Sequence, residues 1–172
     1  MSQSTQPTGT GLSAGVYTKL ADGSYQPLTD ATTGLIVSEG ISPNLVQTVQ
    51  VSVSSVDILA LNATPKTLVA APGAGKAIVV DSITLKMVTT STQYANGGAL
   101  EFRYTDASGA KVTADVADTV VKAGAGTSYS VVPGVAVTAV ANAPIVLDNA
   151  TAPFITGTGT ATVVVNYHVV SV

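Results

Sequence analysis

The chain has 172 residues, a formal net charge of −3 and no cysteine, which suits one domain with its own core plus an extension. Its seven Lys and Arg residues occur singly, whereas nucleic-acid binding needs clustered cations, so we expect no nucleic-acid partner. Without cysteine, disulfides and thiolate-ligated metals are excluded. No apolar run approaches the roughly 20 residues of a membrane helix, so we expect no membrane partner either.

The composition predicts an all-β protein. Hydrophobic residues make up 46% of the chain, but aromatic residues only 5%, so the apolar content is mainly Val, Ala, Leu and Ile. Val, Ile and the abundant Thr favour strands because their branched β-carbons suit a pleated surface. Charged residues are only 10% of the chain, well below the usual quarter. We therefore expect an oligomer whose surface is partly covered by copies of itself or by another protein.

The first third of the chain reads as an extension. Residues 1–15 are small, polar and uncharged, a composition typical of a flexible tail. Residues 16–55 are interpreted as an extended arm with short strands, including a hairpin around Ala21-Asp22-Gly23. Within the arm, Val49, Val51 and Val53 alternate with polar residues, which predicts a half-buried strand.

Residues 56–172 are predicted to form an antiparallel β-sandwich, jelly-roll-like in arrangement. Turn signals such as Asn96-Gly-Gly98 and Pro133-Gly134 recur every 8–12 residues or so, with no helical periodicity between them. The candidate strands are 56–61, 66–71, 76–88, 99–105, 111–116, 118–122, 128–132, 135–140, 144–148 and 160–170.

Residues suited to catalysis are sparse. The single histidine, His168, lies inside a strand pattern, so we expect it on a surface or at an interface rather than in a catalytic triad. The carboxylates show no metal-loop spacing, and Asp106-Ala-Ser-Gly109 reads as a turn. Gly73-Ala-Gly75-Lys76 runs into a strand instead of opening a phosphate-binding helix. We expect no cofactor, no metal and no enzymatic activity.

The six tyrosines admit two interpretations. Tyr104, Tyr129 and Tyr167 are interpreted mainly as residues that close the end of a core. Tyr17 and Tyr25 lie in the sparse arm and are better candidates for anchors into a partner.

Three stretches together resemble structural proteins of tailed-bacteriophage virions. They are the run from Leu59 through Pro72-Gly-Ala-Gly-Lys76 into the strand that follows, the run Tyr94-Ala-Asn-Gly-Gly-Ala-Leu100, and the run from Asn149-Ala-Thr-Ala-Pro-Phe154 into the final strand. The resemblance covers roughly residues 59–172. Proteins of this kind include capsid decoration (cement) proteins, head fibres and tail-associated proteins, none of which supplies catalytic residues to carry over.

The resemblance implies a decoration protein on the outer capsid surface of the virion. Its partners would be the major capsid protein and further copies of itself, in a homotrimer. The arm would make the contacts, through the apolar residues Tyr17, Leu20, Tyr25, Leu28, Val49, Val51 and Val53. The alternative is a tail-fibre or receptor-binding tip that recognises a host glycan or protein through exposed loops with Tyr94, Asn96 and Asn142.

Overall fold

The computed structural model describes residues 45–172 in full, and earlier in the chain only the backbone of two strands. These two strands, β1 (Tyr17–Lys19) and β2 (Tyr25–Pro27), pair antiparallel as a hairpin. The chain divides into two compact units, Met1–Ile41 and Ser42–Val172. The predicted arm contacts Tyr17, Leu20, Tyr25 and Leu28 have side chains outside the described residues.

The regular elements of residues 45–172 are strands, apart from two short helices. In chain order these elements are β3 (Gln47–Val53), α1 (Ser55–Ala60), β4 (Lys66–Val69), β5 (Lys76–Thr89), β6 (Ala95–Asn96), β7 (Glu101–Tyr104), α2 (Asp118–Val121), β8 (Gly126–Pro133), β9 (Ile145–Asp148), β10 (Phe154–Ile155) and β11 (Thr160–Ser171). The all-β prediction is confirmed.

The strands form two main antiparallel sheets and one small accessory pair. The first sheet has the order β3-β11-β5-β8, and the second has the order β4-β9-β7. β6 pairs with β10. Leaving aside this short pair, each successive strand of residues 45–172 belongs to the other main sheet.

The core lies between the facing sides of these two sheets. From the first sheet it contains Val53, Ile83, Leu85, Met87, Val163 and Val165, and from the second Leu68, Phe102, Tyr104, Ile145 and Leu147. The Tyr104 hydroxyl also donates a hydrogen bond to the carbonyl oxygen of Ile78, which joins β7 to β5. The prediction that Tyr104 closes the core is confirmed.

β3 lies in the sandwich, which differs from the sequence-based boundary after residue 55. It pairs with β11 from Gln47 to Val53, and its inward residues Val49, Val51 and Val53 contact the core of their own chain. The predicted alternation of apolar and polar residues in this strand is confirmed. Alternation shows that one side of a strand is covered but not what covers it, so the sequence could not show that β3 belongs to the sandwich.

A short helix, α1, replaces the strand predicted over residues 56–61. Ser54 caps it: the Ser54 hydroxyl accepts a hydrogen bond from the Asp57 N–H, and the Asp57 carboxylate accepts one from the Ser54 N–H. This reciprocal capping box favours a helix at its first turn. Residues 118–122 likewise contain a helix, α2, while 135–140 form no regular element and 111–116 form only isolated bridges.

Replacing Asp57 with Asn should lower the melting temperature at neutral pH by a few degrees, since losing a cap costs about 1 kcal/mol. Hydrogen bonds from the Ser54 hydroxyl and N–H, together with the Lys66 ammonium, lower the pKa of Asp57 to about 2. A carboxyl group with a lowered pKa stabilises the fold above its unfolded pKa and loses this effect as the pH falls. The difference between the two proteins should therefore shrink between pH 4 and pH 2.

Thermal denaturation followed by circular dichroism across this pH range measures the effect. A melting-temperature difference that stays constant down to pH 2 would contradict the role given to the Asp57 carboxylate.

Candidate interaction surface

The outward face of the first sheet is broad and nearly free of charge. Three rows of neighbouring side chains cross its four strands. From β3 to β8 they are Ser52-Thr162-Lys86-Tyr129, Gln50-Val164-Thr84-Val131 and Thr48-Asn166-Ser82-Pro133. Lys86 is the one charged residue in these rows. We call these twelve residues the outer face.

Hydrogen bonds between side chains make part of the outer face a fixed surface. The Thr48 hydroxyl donates to the Asn166 amide oxygen at 2.8 Å, and the Asn166 amide nitrogen donates to the Ser82 hydroxyl at 3.1 Å. This chain crosses three strands without using a charge. Its donors and acceptors are thus largely satisfied within the sheet, which lowers the cost of covering this part of the face with another protein.

Two large apolar side chains stand out at the β8 margin of the outer face. Tyr129 and Val131 are 62% and 67% exposed, because they face the same side as Lys86 and Thr84 of β5. The sequence interpretation of Tyr129 as a core residue is therefore not what the structure shows. Tyr167 is half-buried and its hydroxyl donates to the Gln47 side chain at 3.0 Å.

His168 lies beyond a bulge in the β5–β11 pairing. The bulge falls between Asn166 and Tyr167 and leaves Asp81 as the extra residue of β5. The Nδ1 atom of His168 lies 3.3 Å from the Asp81 carboxylate. Since the Ser82 hydroxyl contacts Asn166 instead, no serine hydroxyl of the described residues joins this pair. The expectation of a surface histidine agrees with this placement.

A charged cluster covers the outward side of the second sheet. The Arg103 guanidinium pairs with the Glu101 carboxylate and donates to the Gly109 carbonyl oxygen at 2.7 Å. The Lys111 ammonium lies 3.0 Å from the Glu101 carboxylate and 2.8 Å from the Asp115 carboxylate. The hydrogen bonds that it donates, first to Asp115 and then to Glu101, raise the pKa of Lys111. The two sides of the sandwich therefore differ in charge.

Asp148 is buried beside this cluster. Its side chain has 0% exposure, and neither carboxylate oxygen forms a hydrogen bond with any of the described residues. The nearest opposite charge is the Arg103 Nε atom, 3.9 Å away. Burial is the main cause that raises the pKa of Asp148, and the positive charge of Arg103 opposes the rise only in part.

The loop residues proposed as an alternative recognition surface do not come together. Tyr94 is 3% exposed, packs edge-to-face on Phe154, and donates to the Gly159 carbonyl oxygen at 2.6 Å. The Asn142 N–H donates a hydrogen bond to the carbonyl oxygen of Lys76, the first residue of β5. Asn96 pairs with Phe154 and lies beyond the other end of β5. Since the 14 residues of β5 span about 45 Å, the two asparagines lie at opposite ends of the sandwich.

Both asparagines also have local structural roles. Asn96 and Asn142 adopt positive φ angles of 57° and 51°, a conformation that asparagine tolerates better than most residues. The Asn96 amide donates to the Pro153 carbonyl oxygen, and the Asn142 side-chain oxygen accepts from the Gly73 N–H, each at 3.0 Å. Turn geometry accounts for these two residues without a ligand.

Neither a metal site nor a membrane-spanning helix emerges within residues 45–172. No group of three or more His, Asp and Glu side chains there is arranged to hold a metal ion. The helices of this part are too short to cross a bilayer. Asp115 pairs with Lys111 and Asp118 with Lys122, so these two carboxylates do not converge.

Replacing Asp148 with Asn should raise the melting temperature at pH 7. A carboxyl group whose folded pKa is raised binds its proton more tightly in the folded state, so ionisation destabilises the fold as the pH rises above the unfolded value. Asn keeps the shape of Asp and removes the buried charge. Differential scanning calorimetry of both proteins from pH 4 to pH 8 tests this expectation, and a lower melting temperature for Asp148→Asn at pH 7 would contradict it.

Comparisons with known proteins give similarity only at the level of structure. No protein-family model matches the sequence, and no curated protein matches it. A chain of the cyanophage Pam1 capsid asymmetric unit is similar over 83% of this chain and 99% of its own length, with 19% identity and a TM-score of 0.46. A chain of the capsid of Ralstonia phage GP4 is similar over 72% of this chain and 82% of its own, with 15% identity and a TM-score of 0.38. Similarity at this level does not assign the chain to a family.

Proposed function

We propose that this protein is a structural component of a tailed-phage virion and that it decorates the outer surface of the head. In this role it binds the major capsid protein and stabilises the shell. The sequence resemblance over residues 59–172 suggests the class of protein, and the outer face suggests the way in which it works.

The observation that carries the proposal is the unequal distribution of charge between the two sides of the sandwich. The outward side of the second sheet carries ion pairs of Glu101, Arg103, Lys111 and Asp115. The outer face has only Lys86 among its twelve residues and exposes Tyr129 and Val131. A surface that is poor in charge and exposes an aromatic side chain has two features of the centre of a protein interface.

The proposed mechanism is physical and not catalytic. Each copy covers the junction between neighbouring capsid subunits, so that opening the shell requires breaking the additional contact, which for a standard interface buries about 1,600 Å². A trimer binding three such sites together gains avidity without any single strong contact. Residues 1–44 would add a tether, with Tyr17, Leu20, Tyr25 and Leu28 as its proposed contacts.

The location on the particle separates this proposal from a tail-fibre or receptor-binding role. We expect a cryo-electron microscopy map of the phage that encodes the chain to show the sandwich on the outside of the head. Density for it only in the tail would contradict the proposal and favour the alternative.

Adding charge to the centre of the outer face should weaken binding to purified phage heads. Gln50 and Thr84 both neighbour Val164, so the double variant Gln50→Glu/Thr84→Glu places two carboxylates there without touching the core. We expect its affinity to fall at least about tenfold, which corresponds to about 1.4 kcal/mol. Cosedimentation with heads that lack the protein measures the affinity.

The matched control is Ala107→Glu/Thr119→Glu, which adds the same charge at exposed positions outside the outer face. Its binding should equal that of the natural chain, and equal losses in both variants would show that net charge matters and not the outer face.

A chain that begins at Ser42, the start of the second compact unit, tests the tether. It should keep the fold and bind heads more weakly.

A further inference from the structure

β8 is turned with its apolar side away from the core. Ser128 and Ser130 lie opposite Met87 and Leu85 on the inward side, whereas Tyr129 and Val131 face outward. A strand at the edge of a sandwich normally places its apolar residues inward and its hydroxyl residues outward. Departures from this pattern are expected at functional sites, where residues are selected for binding or catalysis as well as for folding.

The free edge of β8 also lacks the usual protection against pairing with another chain. β8 is the terminal strand of the first sheet, and its register with β5 contains no bulge. No charged residue occurs between Lys122 and Asp148, and Pro133 stands only at the end of the strand. Edge strands normally avoid association by means of charges, prolines or bulges. Among the described residues β8 has no second strand partner, and Ser128 and Ser130 remain partly exposed although α2 lies beside the strand and the Ser128 hydroxyl donates to the Val120 carbonyl oxygen. The one bridge near this edge joins Gly134, just past the strand, to Thr113.

We propose that β8 pairs antiparallel with β8 of a second copy about a two-fold axis at Ser130. In this register Tyr129 of each copy lies directly opposite Val131 of the other, and Thr127 lies opposite Pro133. Aromatic and β-branched residues form favourable cross-strand pairs. The two-fold axis thus gives two Tyr129–Val131 pairs, one on each side of Ser130. The contact joins two four-stranded sheets into one.

The other open edge of the first sheet fits β8 less well. The outward residues of β3 are Thr48, Gln50 and Ser52, so pairing β8 with β3 of another copy would leave Tyr129 and Val131 opposite polar side chains. The two copies of β8 also bring no charge to the contact, so no repulsion opposes it. Self-pairing is therefore the arrangement that the residues of this edge support.

The size of the contact sets its strength. An eight-residue strand is about 27 Å long and a sheet about 10 Å thick, so the pair buries roughly 540 Å² in total. This area is well below the about 1,600 Å² of a standard stable interface. The dimer should therefore be weak in dilute solution and should form readily where copies are held side by side. This inference does not depend on which particle the protein binds.

Disulfide trapping in the full-length chain tests the register, because the natural chain contains no cysteine. In the proposed dimer residue 130 lies opposite itself, at a Cβ separation close to that of a disulfide. Ser130→Cys should therefore form a covalent dimer under mild oxidation. In Thr127→Cys the two thiols would be about 20 Å apart, so this control should cross-link at least about tenfold more slowly.

Equal cross-linking of both variants would show random collision and would overturn the proposal. Absence of a Ser130→Cys dimer at high protein concentration would overturn it too.

Charge swapping provides a second test that does not depend on the stability of one variant. In the Ser130→Cys background, Tyr129→Lys/Val131→Lys and Tyr129→Glu/Val131→Glu should each cross-link poorly alone, because like charges then lie opposite each other. Mixed together, each introduced Lys faces an introduced Glu, and mass spectrometry should detect the mixed dimer. Failure of the mixture to cross-link more than either variant alone would refute the register.

Discussion

β5 and β11 pair along the full length of β11, and the two outer strands of the first sheet take their positions from this pair. The inward residues Ile83, Leu85, Val163 and Val165 form the middle of the core and are completely buried. β3 adds to one side of β11 and β8 to the other side of β5. Because side chains alternate strictly along a strand, the register of this central pair decides which residues of all four strands reach the outer face.

The charge distribution divides the molecule into two different surfaces. Residues 101–122 hold Glu101, Arg103, Asp106, Lys111, Asp115, Asp118 and Lys122, largely as short ion pairs. The pairs of Glu101, Arg103, Lys111 and Asp115 lie on the outward side of the second sheet. The outer face of the first sheet presents hydroxyl, amide and apolar groups, with Lys86 as the one charge among its twelve residues. This contrast leaves the outer face suited to contact with protein.

The sequence predicted the elements whose alternation is long and regular. β11 (Thr160–Ser171) alternates along its length and β5 (Lys76–Thr89) alternates on either side of the bulge at Asp81, and both lie close to the predicted strands 160–170 and 76–88. Short elements were missed for physical reasons. α1 depends on one reciprocal pair of hydrogen bonds at Ser54 and Asp57, and Ser-x-x-Asp is the sequence signal that could have revealed it. The segment 135–140 has apolar alternation but forms no strand, because the Val135 N–H donates to the Val112 carbonyl oxygen instead of continuing the pairing with β5.

The outward side chains of β8 could not be predicted, because its alternation identifies two faces and not which one is buried. The structure shows what fixes the choice. Val132 is buried opposite Ile83, and the Ser128 hydroxyl donates to the Val120 carbonyl oxygen at 2.8 Å.

Gly134 holds the far end of β8. Its N–H binds the Asp81 carbonyl oxygen at 2.8 Å, and a Cβ atom there would overlap the Val80 carbonyl oxygen. A slip of one residue would bury Tyr129 and Val131 but would break these contacts. With the register held at both ends, the apolar side chains stay in water, and burying a side chain of this kind is worth about 1.5–3 kcal/mol. Association with another chain can bury Tyr129 and Val131 and so gain the free energy of burial that folding does not provide.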